Sequence, residues 1–383
     1  MKKYVIAAAA AILAACLLLA CASDRTGGGK TAEDGISVPE RAEHDGNNQN
    51  DQNHEKDQNN EKDQSNETNQ KNKNDQSNEK DENEERKLRI VTTIFPEYDW
   101  VRNILGDSAE HTELTMLLDT GVDLHSYQPT AEDIRKISDG DLFIYVGGES
   151  DEWVEDVLRT ADNRKLKTIS LLEVLGDRVR PEEQKEGMMK EEDGKEADSP
   201  EEDGEEMDEH VWLSLRNAGI LCGAIAETLE ETDPANAERY RINAEEYGKK
   251  LSALDESYSK AVEAAKKKTV VFGDRFPFRY LTDDYGLDYY AAFSGCSAES
   301  EASFETVLFL ARKVEEAGLS AILTIEGKQH PIAETVRRNT VSGKQQILTM
   351  NSMQSVTAKD VRDGADYLSI MTENLAVLKE ALR

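Results

Sequence analysis

Two histidines lie in similar contexts along the chain, and both suit a metal site. His125 stands in VDLHSYQPT and His210 in DEHVWLSLRNA, each in a loop between a predicted strand and a predicted helix. Imidazole is a strong ligand for divalent transition metals. The chain has only 6 histidines, so a site has to combine these two with carboxylates. The alternative is that each histidine merely caps or pairs with a neighbouring helix.

Three further candidates end predicted strands in the second half of the chain. Asp274 ends TVVFGD, Glu326 ends SAILTIE and Asn351 ends QQILTM. Open α/β sheets bind ligands beyond the carboxyl ends of their strands. The two histidines and these three residues would therefore surround one cleft between two lobes.

Each of these three residues also has a structural alternative. Asp274 could cap the helix that follows it, and Glu326 could be the buried partner of Arg337 or Lys328. Asn351 is a weak neutral ligand for a transition metal, so we favour a hydrogen-bonding role with a possible contribution to the site.

The remaining residues of metal-binding type are less favoured. His330 precedes a proline at a predicted helix start, and we expect it to cap that helix. Cys296, in SGCSAES, follows a strand and could be a thiolate ligand, but a buried, small apolar role is commoner for cysteine. Whether Cys296 pairs with Cys222 is not decided by the sequence.

Short apolar runs alternate with helical patterns from Leu88 onward, and this alternation predicts the positions of the candidate ligands. Such a pattern is typical of parallel sheets covered by helices on both faces. The predicted strands are LRIVTTIF, ELTMLLD, DLFIYVGG and LKTISLLE in the first series, and TVVFGD, LDYYAAF, SAILTIE and QQILTM in the second. The fold class is therefore α/β, with two Rossmann-like lobes.

A long helix is predicted between the two series. Asp233 would be its N-cap and Pro234 its first residue, and an apolar face continues to about Ala265. Such a helix would span both lobes and limit their hinging. We expect a first lobe at 87–232, a linking helix at 233–268 and a second lobe at 269–383.

The first 86 residues carry no pattern of a packed core. Residues 1–20 read as a signal peptide, and LLLAC resembles the lipobox of bacterial lipoproteins, with Cys21 as the lipidated residue. Cys16 fits the same pattern less well because apolar residues follow it. Residues 21–86 would be the lipidated cysteine and a disordered polar tether, in which His44 and His54 are expected to be solvated.

The net charge of the chain is −32 and is unevenly distributed. Residues 181–209, just before His210, form a predicted exposed acidic insertion with 15 acidic residues and 3 lysines. This charge argues against nucleic acid or an anionic membrane surface as the partner.

In these motifs and their order the chain resembles the metal-binding class of ABC-transporter substrate-binding lipoproteins, which deliver zinc or manganese. The resemblance covers roughly 88–383. It rests on VTTIFPEYDWVRNILGD, GVDLHSYQPTAEDIRKISDGDLFIYVGG, DEHVWLSLRNA, the long helix, the DYGL and IE elements and the closing helix. It implies that His125 and His210 are ligands from the first lobe.

The chain departs from this family in the second lobe. Members supply a histidine or a glutamate where this chain has Gly273 and Asp274, and an aspartate near Asn351. We therefore take Asp274 as the replacement ligand and Glu326 as the next candidate. The insertion, often rich in histidine in zinc-type members, is acidic here.

The resemblance implies a monomeric, lipid-anchored, extracytoplasmic receptor that binds one divalent ion, hands it to a membrane permease and catalyses nothing. Zinc is the first choice because two imidazoles with one or two carboxylates make a tetrahedral site, and manganese is the alternative. A surface-anchored zinc hydrolase and an adhesin or structural lipoprotein are the rival hypotheses, although the sequence has no HExxH motif.

Overall fold

The computed structural model describes residues 87–161, 163–189, 206–297 and 301–383. The predicted signal peptide, Cys21, the polar tether and residues 190–205 of the acidic insertion lie outside the described residues. Within the described ranges, no helix is long and apolar enough to cross a membrane.

A four-stranded parallel sheet organises the first lobe, with strand order β2-β1-β3-β4. Its strands are short apolar runs; the first three residues of LFIY in β3 are buried. The elements are β1 (Leu88–Thr92), α1 (Phe95–Leu105), β2 (Thr112–Met116), α2 (Ala131–Ser138), β3 (Leu142–Tyr145), α3 (Trp153–Thr160), β4 (Lys167–Ser170), α4 (Leu171–Leu175) and α5 (Leu215–Thr232).

A second four-stranded parallel sheet, in the order β6-β5-β7-β8, organises the second lobe. The four residues AILT of β7 are all buried, as expected for a strand covered on both faces. The elements are β5 (Thr269–Arg275), α7 (Arg279–Tyr285), β6 (Asp288–Phe293), α8 (Phe304–Glu316), β7 (Ala321–Thr324), α9 (Pro331–Arg338), β8 (Gln346–Thr349), α10 (Ala358–Arg362) and α11 (Tyr367–Ala381). The predicted α/β class with two parallel sheets is confirmed.

The long helix α6 spans Ala237–Ala264 and packs against α1 and α5 of the first lobe and α7 and α11 of the second. The predicted start of this helix at Asp233 is wrong. Asp233 follows the last residue of α5, and its carboxylate accepts hydrogen bonds from Asn236 (2.8 Å) and from the Tyr240 hydroxyl (2.6 Å). Acidic side chains that precede a proline are typical of helix starts, but here the aspartate closes the turn between two helices.

Buried hydrogen bonds fix the segment around His210 to the second lobe. The indole of Trp212 donates to the Ser352 carbonyl (2.8 Å), and the Tyr367 hydroxyl donates to the Trp212 carbonyl (2.6 Å). The Tyr280 hydroxyl donates to the carbonyl of Asp208 (2.7 Å). These groups are buried, so the hydrogen bonds hold the two lobes together beside the candidate ligands.

Candidate metal centre

His125 lies in a short 3-10 turn, Leu124–Ser126, in the loop between β2 and α2. The turn forms because the Asp123 carboxylate accepts a hydrogen bond from the His125 backbone N–H (3.1 Å). The Tyr127 hydroxyl then donates to Asp133 (3.0 Å), which also caps α2. The loop is therefore tied to the helix that follows it, and the His125 side chain is only 11% exposed.

His210 precedes a second 3-10 turn, Val211–Leu213, and its side chain is fully buried. Asp208 Oδ1 accepts hydrogen bonds from both the backbone N–H and the Nδ1 of His210, each at 2.9 Å. Because the carboxylate accepts a hydrogen bond from Nδ1–H, the lone pair of a neutral His210 lies on Nε2, where an ion could use it.

The two histidines direct their Nε2 atoms at each other across a distance of 3.2 Å. In a tetrahedral zinc site with bonds of about 2.05 Å, two nitrogen ligands are about 3.3 Å apart. One ion could thus bind both nitrogens with only a small movement of either ring. The structure brings together the two histidines that the sequence singled out.

Glu209 places a second carboxylate behind the pair. Its Oε2 lies 3.4 Å from His125 Nδ1, and its Oε1 accepts from the Ser150 backbone N–H at 2.9 Å. Burial works against the charged imidazole, but the contact with Glu209 and the charges of Asp123 and Glu209 outweigh it and raise the pKa of His125. Burial likewise opposes the charged form of Glu209, and the contacts with His125 and Ser150 lower its pKa.

Cys296 is the third metal-binding side chain at this place. Among the described residues, the ligand atoms of His125, His210 and Cys296 lie within 4.8 Å of one another. Glu182 and Glu206, at the two ends of the acidic insertion, form a second such group with the same cysteine. Burial, followed by the charges of nearby acids, raises the pKa of the Cys296 thiol, so the sulfur keeps its proton when no ion is bound.

Asp274 and Glu326 are not members of either group among the described residues. They line a neighbouring cleft of about 520 Å³ together with Asp123 and His330. Asp274 accepts hydrogen bonds from the backbone N–H groups of Arg275 (2.9 Å) and Ile325 (3.4 Å), and burial raises its pKa.

The ion pair considered for Glu326 and the helix cap predicted for His330 are not found among the described residues. Glu326 accepts from the backbone N–H and the hydroxyl of Ser352, both at 2.7 Å; Arg337 pairs with Glu334 instead. His330 stands before α9, but its side chain makes no capping hydrogen bond there.

Asn351 is held by the protein's own hydrogen bonds. Its backbone N–H donates to the Asn374 side chain (2.7 Å), and its carbonyl accepts from that same amide (2.8 Å). Its side-chain oxygen accepts from the Met353 backbone N–H (2.8 Å). These bonds shape the loop after β8.

Two residues of the second lobe that the sequence analysis missed contact this centre. The side-chain nitrogen of Gln354 lies 3.1 Å from His210 Nε2. Arg275 donates to Asp123 Oδ2 at 2.7 Å, a contact that joins the second lobe to the turn carrying His125. Gln354 lies five residues after the end of β8. This position near the carboxyl end of a strand is the feature of the sequence that could have marked it as a candidate site residue.

Comparison with known proteins relates the chain to zinc uptake. Residues 90–381 match the family model for the zinc-uptake complex component A, periplasmic. The zinc-binding lipoprotein AdcA of Streptococcus pneumoniae serotype 4 is 33% identical over 296 residues, which make up 77% of this chain and 56% of that protein. The chain thus spans about half the length of this relative. The high-affinity zinc uptake system protein ZnuA of Bacillus subtilis is 29% identical, over 77% of this chain and 88% of that protein.

Solved structures give the same relationship. The Zn(II)-bound ZnuA-like domain of Streptococcus pneumoniae AdcA superposes with a TM-score of 0.60 and 30% identity, covering 77% of this chain and 99% of that domain. The metal-dependent lipoprotein YcdH of Bacillus subtilis gives a TM-score of 0.62 at 26% identity, covering 77% of this chain and 99% of that one.

Proposed function

The chain belongs to the zinc-uptake complex component A family, and from this membership we propose that it is the extracytoplasmic metal-binding receptor of an ABC importer, with one zinc ion as its cargo. His125 and His210 bind the ion, and the receptor presents it to a membrane permease. The protein performs no reaction on its cargo.

The arrangement of the histidine pair is the main support for this proposal. Their Nε2 atoms are 3.2 Å apart. The Nδ1 of His210 is hydrogen-bonded to Asp208 (2.9 Å). The Nδ1 of His125 is hydrogen-bonded to the Ser150 hydroxyl (2.9 Å), with the Glu209 carboxylate 3.4 Å away. A metal-binding imidazole usually directs its other ring nitrogen to such a group, which fixes the ring and strengthens the ligand.

Zinc fits this site better than manganese, the alternative ion. Manganese favours oxygen ligands, and among the described residues neither Asp274 nor Glu326 belongs to the group of possible ligand atoms around the histidine pair. The names of the relatives described above also refer to zinc. Asp274 and Glu326 therefore drop from the ligand set we propose.

The anchor and the partner remain part of the proposal. Cys21 carries the lipid that holds the protein at the membrane, and the protein acts as a monomer on a permease. A surface-anchored zinc hydrolase is the rival hypothesis; the sequence has no HExxH motif, and the carboxylates of Asp208 and Glu209 lie on the Nδ1 side of the rings, away from the facing Nε2 atoms.

Metal content and metal titration test the proposal. The full chain should bind one zinc ion per molecule and have no hydrolase activity. His125→Ala and His210→Ala should each weaken zinc binding by more than the roughly 10–100-fold that hydrogen-bond partners of a ligand contribute. His111→Ala is the matched control, because His111 is exposed in the turn before β2. Unchanged binding in both site variants would overturn the proposal.

A further inference from the structure

The loop after β6 is one of the segments of the second lobe that approach the histidine pair. Gly295 faces the His210 ring so closely that a Cβ atom there would be 3.0 Å from both Cε1 and Nδ1. The absence of a side chain thus lets the backbone approach the ring, and the next residue is Cys296.

The same loop is held in place from both sides. The backbone N–H of Cys296 donates to Glu182 Oε1 (2.9 Å), at the start of the acidic insertion. The Arg275 side chain donates to the Ser297 carbonyl (3.3 Å) and also pairs with Asp123 of the first lobe. The position of the thiol relative to the histidines is therefore set by contacts with both lobes.

The sulfur is within reach of a shared ion. A ring nitrogen of His125 and one of His210 each lie within 4.8 Å of the sulfur. In a tetrahedral site with a Zn–S bond of about 2.3 Å and Zn–N bonds of about 2.05 Å, sulfur and nitrogen are about 3.6 Å apart. A shift of about 1 Å, of the size a side-chain torsion provides, would complete the geometry.

We propose that Cys296 supplies the third ligand as a thiolate, so that the ion is held by two imidazoles and one sulfur instead of by imidazoles and carboxylates. This inference rests on the proposed function and identifies the second-lobe ligand of the same site. On binding, the S–H bond breaks, its proton passes to solvent and the sulfur lone pair forms the bond to the ion.

A sulfur ligand determines which ions the site prefers. Thiolate is a soft ligand that favours zinc, whereas manganese favours oxygen. Removing the sulfur should therefore lower zinc affinity far more than manganese affinity. The ratio of zinc affinity to manganese affinity therefore reports directly on ligation by the sulfur. If Cys296 had only a structural role, its substitution would leave this ratio unchanged.

Cobalt(II) provides the spectroscopic test, because a thiolate bound to cobalt gives a charge-transfer band in the near ultraviolet. The reference protein is the full chain with Cys16→Ser and Cys21→Ser, which leaves two of the 4 cysteines, Cys222 and Cys296. Cys296→Ala and Cys296→Ser are the test variants; serine keeps nearly the size of the side chain but replaces the soft sulfur with a hydroxyl oxygen. Cys222→Ala is the matched control, since Cys222 is a free, buried cysteine in α5.

The reference protein and Cys222→Ala should show the band with one cobalt bound. Both Cys296 variants should bind cobalt without the band, and their zinc-over-manganese preference should fall by at least about tenfold, which corresponds to about 1.4 kcal/mol. A band that persists in the Cys296 variants, or that is absent from the reference protein, would overturn the assignment of the sulfur. If the histidine substitutions still abolish binding in that case, the proposed function stands without the thiolate.

Discussion

Asp208 Oδ1 accepts two hydrogen bonds from His210, one from the backbone N–H and one from Nδ1, each at 2.9 Å. The carboxylate thus fixes both the start of the 3-10 turn and the orientation of the ring. Asp208 and His210 are the first and third residues of the tripeptide DEH, so one short segment supplies both a proposed ligand and the group that orients its ring. Glu209, the residue between them, faces the other histidine.

Asp208→Ala should weaken zinc binding by about 10–100-fold, the usual effect of losing the partner of a metal-binding histidine. Asp208→Asn should weaken it less, because the amide oxygen can still accept from both donors but carries no charge. Calorimetric titration of zinc into the two variants measures the difference. Equal losses would show that the charge, and not the orientation of His210, is what Asp208 provides.

Glu209→Gln should lower the pKa of His125 in the metal-free protein, because the contact with Glu209 and its charge are among the causes that raise it. Histidine Cε1–H resonances followed against pH by NMR report this pKa, and the resonance of His125 is the one missing from the spectrum of His125→Gln.

Glu326→Gln is the matched control for this change, since the Glu326 carboxylate contacts Ser352 instead. A raised pKa of His125 stabilises the folded metal-free protein fully below the unfolded value of about 6.5, and this contribution is lost as pH rises through the folded pKa. Glu209→Gln should therefore reduce the loss of unfolding free energy that the metal-free protein shows as pH rises from about 6.5 through the folded pKa of His125. An unchanged pKa of His125 would contradict the role of Glu209.

Gly295→Ala should weaken metal binding, since the new Cβ would be 3.0 Å from two atoms of the His210 ring and from the Phe276 carbonyl. The ring, held by Asp208, and the loop would have to separate by a few tenths of an ångström. We expect a loss of about tenfold in zinc affinity, or about 1.4 kcal/mol.

Gly219→Ala is the matched control for the added methyl group. Gly219 lies within α5, and a Cβ there meets no atom within 4 Å. This substitution should leave zinc binding unchanged and stabilise the fold by about 0.5–1 kcal/mol, because alanine loses less backbone entropy in a helix. Zinc titration and thermal unfolding of both variants measure the contrast. Wild-type affinity in Gly295→Ala would show that the loop can move away without cost.

The sequence predicts the first-lobe half of the centre because that half is local. His125 and His210 each stand beside a turn that neighbouring residues build, through Asp123 and Asp208. The parallel sheets are predictable for the same reason, since their strands are short contiguous runs of mostly apolar residues, such as LFIY in β3 and AILT in β7.

The second-lobe half depends on contacts far apart in sequence, which a single sequence does not reveal. Asp274 stands near a strand end as predicted, but its carboxylate accepts a hydrogen bond from the backbone N–H of Ile325 (3.4 Å) and is not a member of the group of ligand atoms at the histidine pair among the described residues. Cys296 reads as a small apolar residue, and only the contacts of its loop with Glu182 and Arg275 bring it to the histidines. Which side chain of a strand terminus faces the cleft is decided by packing between the lobes.

Asp151→Asn should stabilise the metal-free protein increasingly as pH rises from about 4 to above 7. Asp151 is buried beside the site, one of its oxygens accepts from the Gly147 N–H (2.9 Å), and the other has no hydrogen-bond partner. Burial, together with the charge of Glu209, raises its pKa to about 7. Because the folded pKa exceeds the unfolded value of about 3.9, the contribution of Asp151 to stability is fully present below pH 4 and is lost as pH rises through 7.

Asparagine carries no charge at any pH, so the difference in unfolding free energy between variant and parent should grow with pH and then level off above 7, reaching at most about 4 kcal/mol. Urea unfolding of both proteins at pH 5, 6, 7 and 8, with chelator present, measures this difference. Other titrating groups cancel in the comparison, apart from those coupled to Asp151 such as Glu209. A difference that stays constant across this pH range would show that Asp151 is ionised in the folded protein throughout.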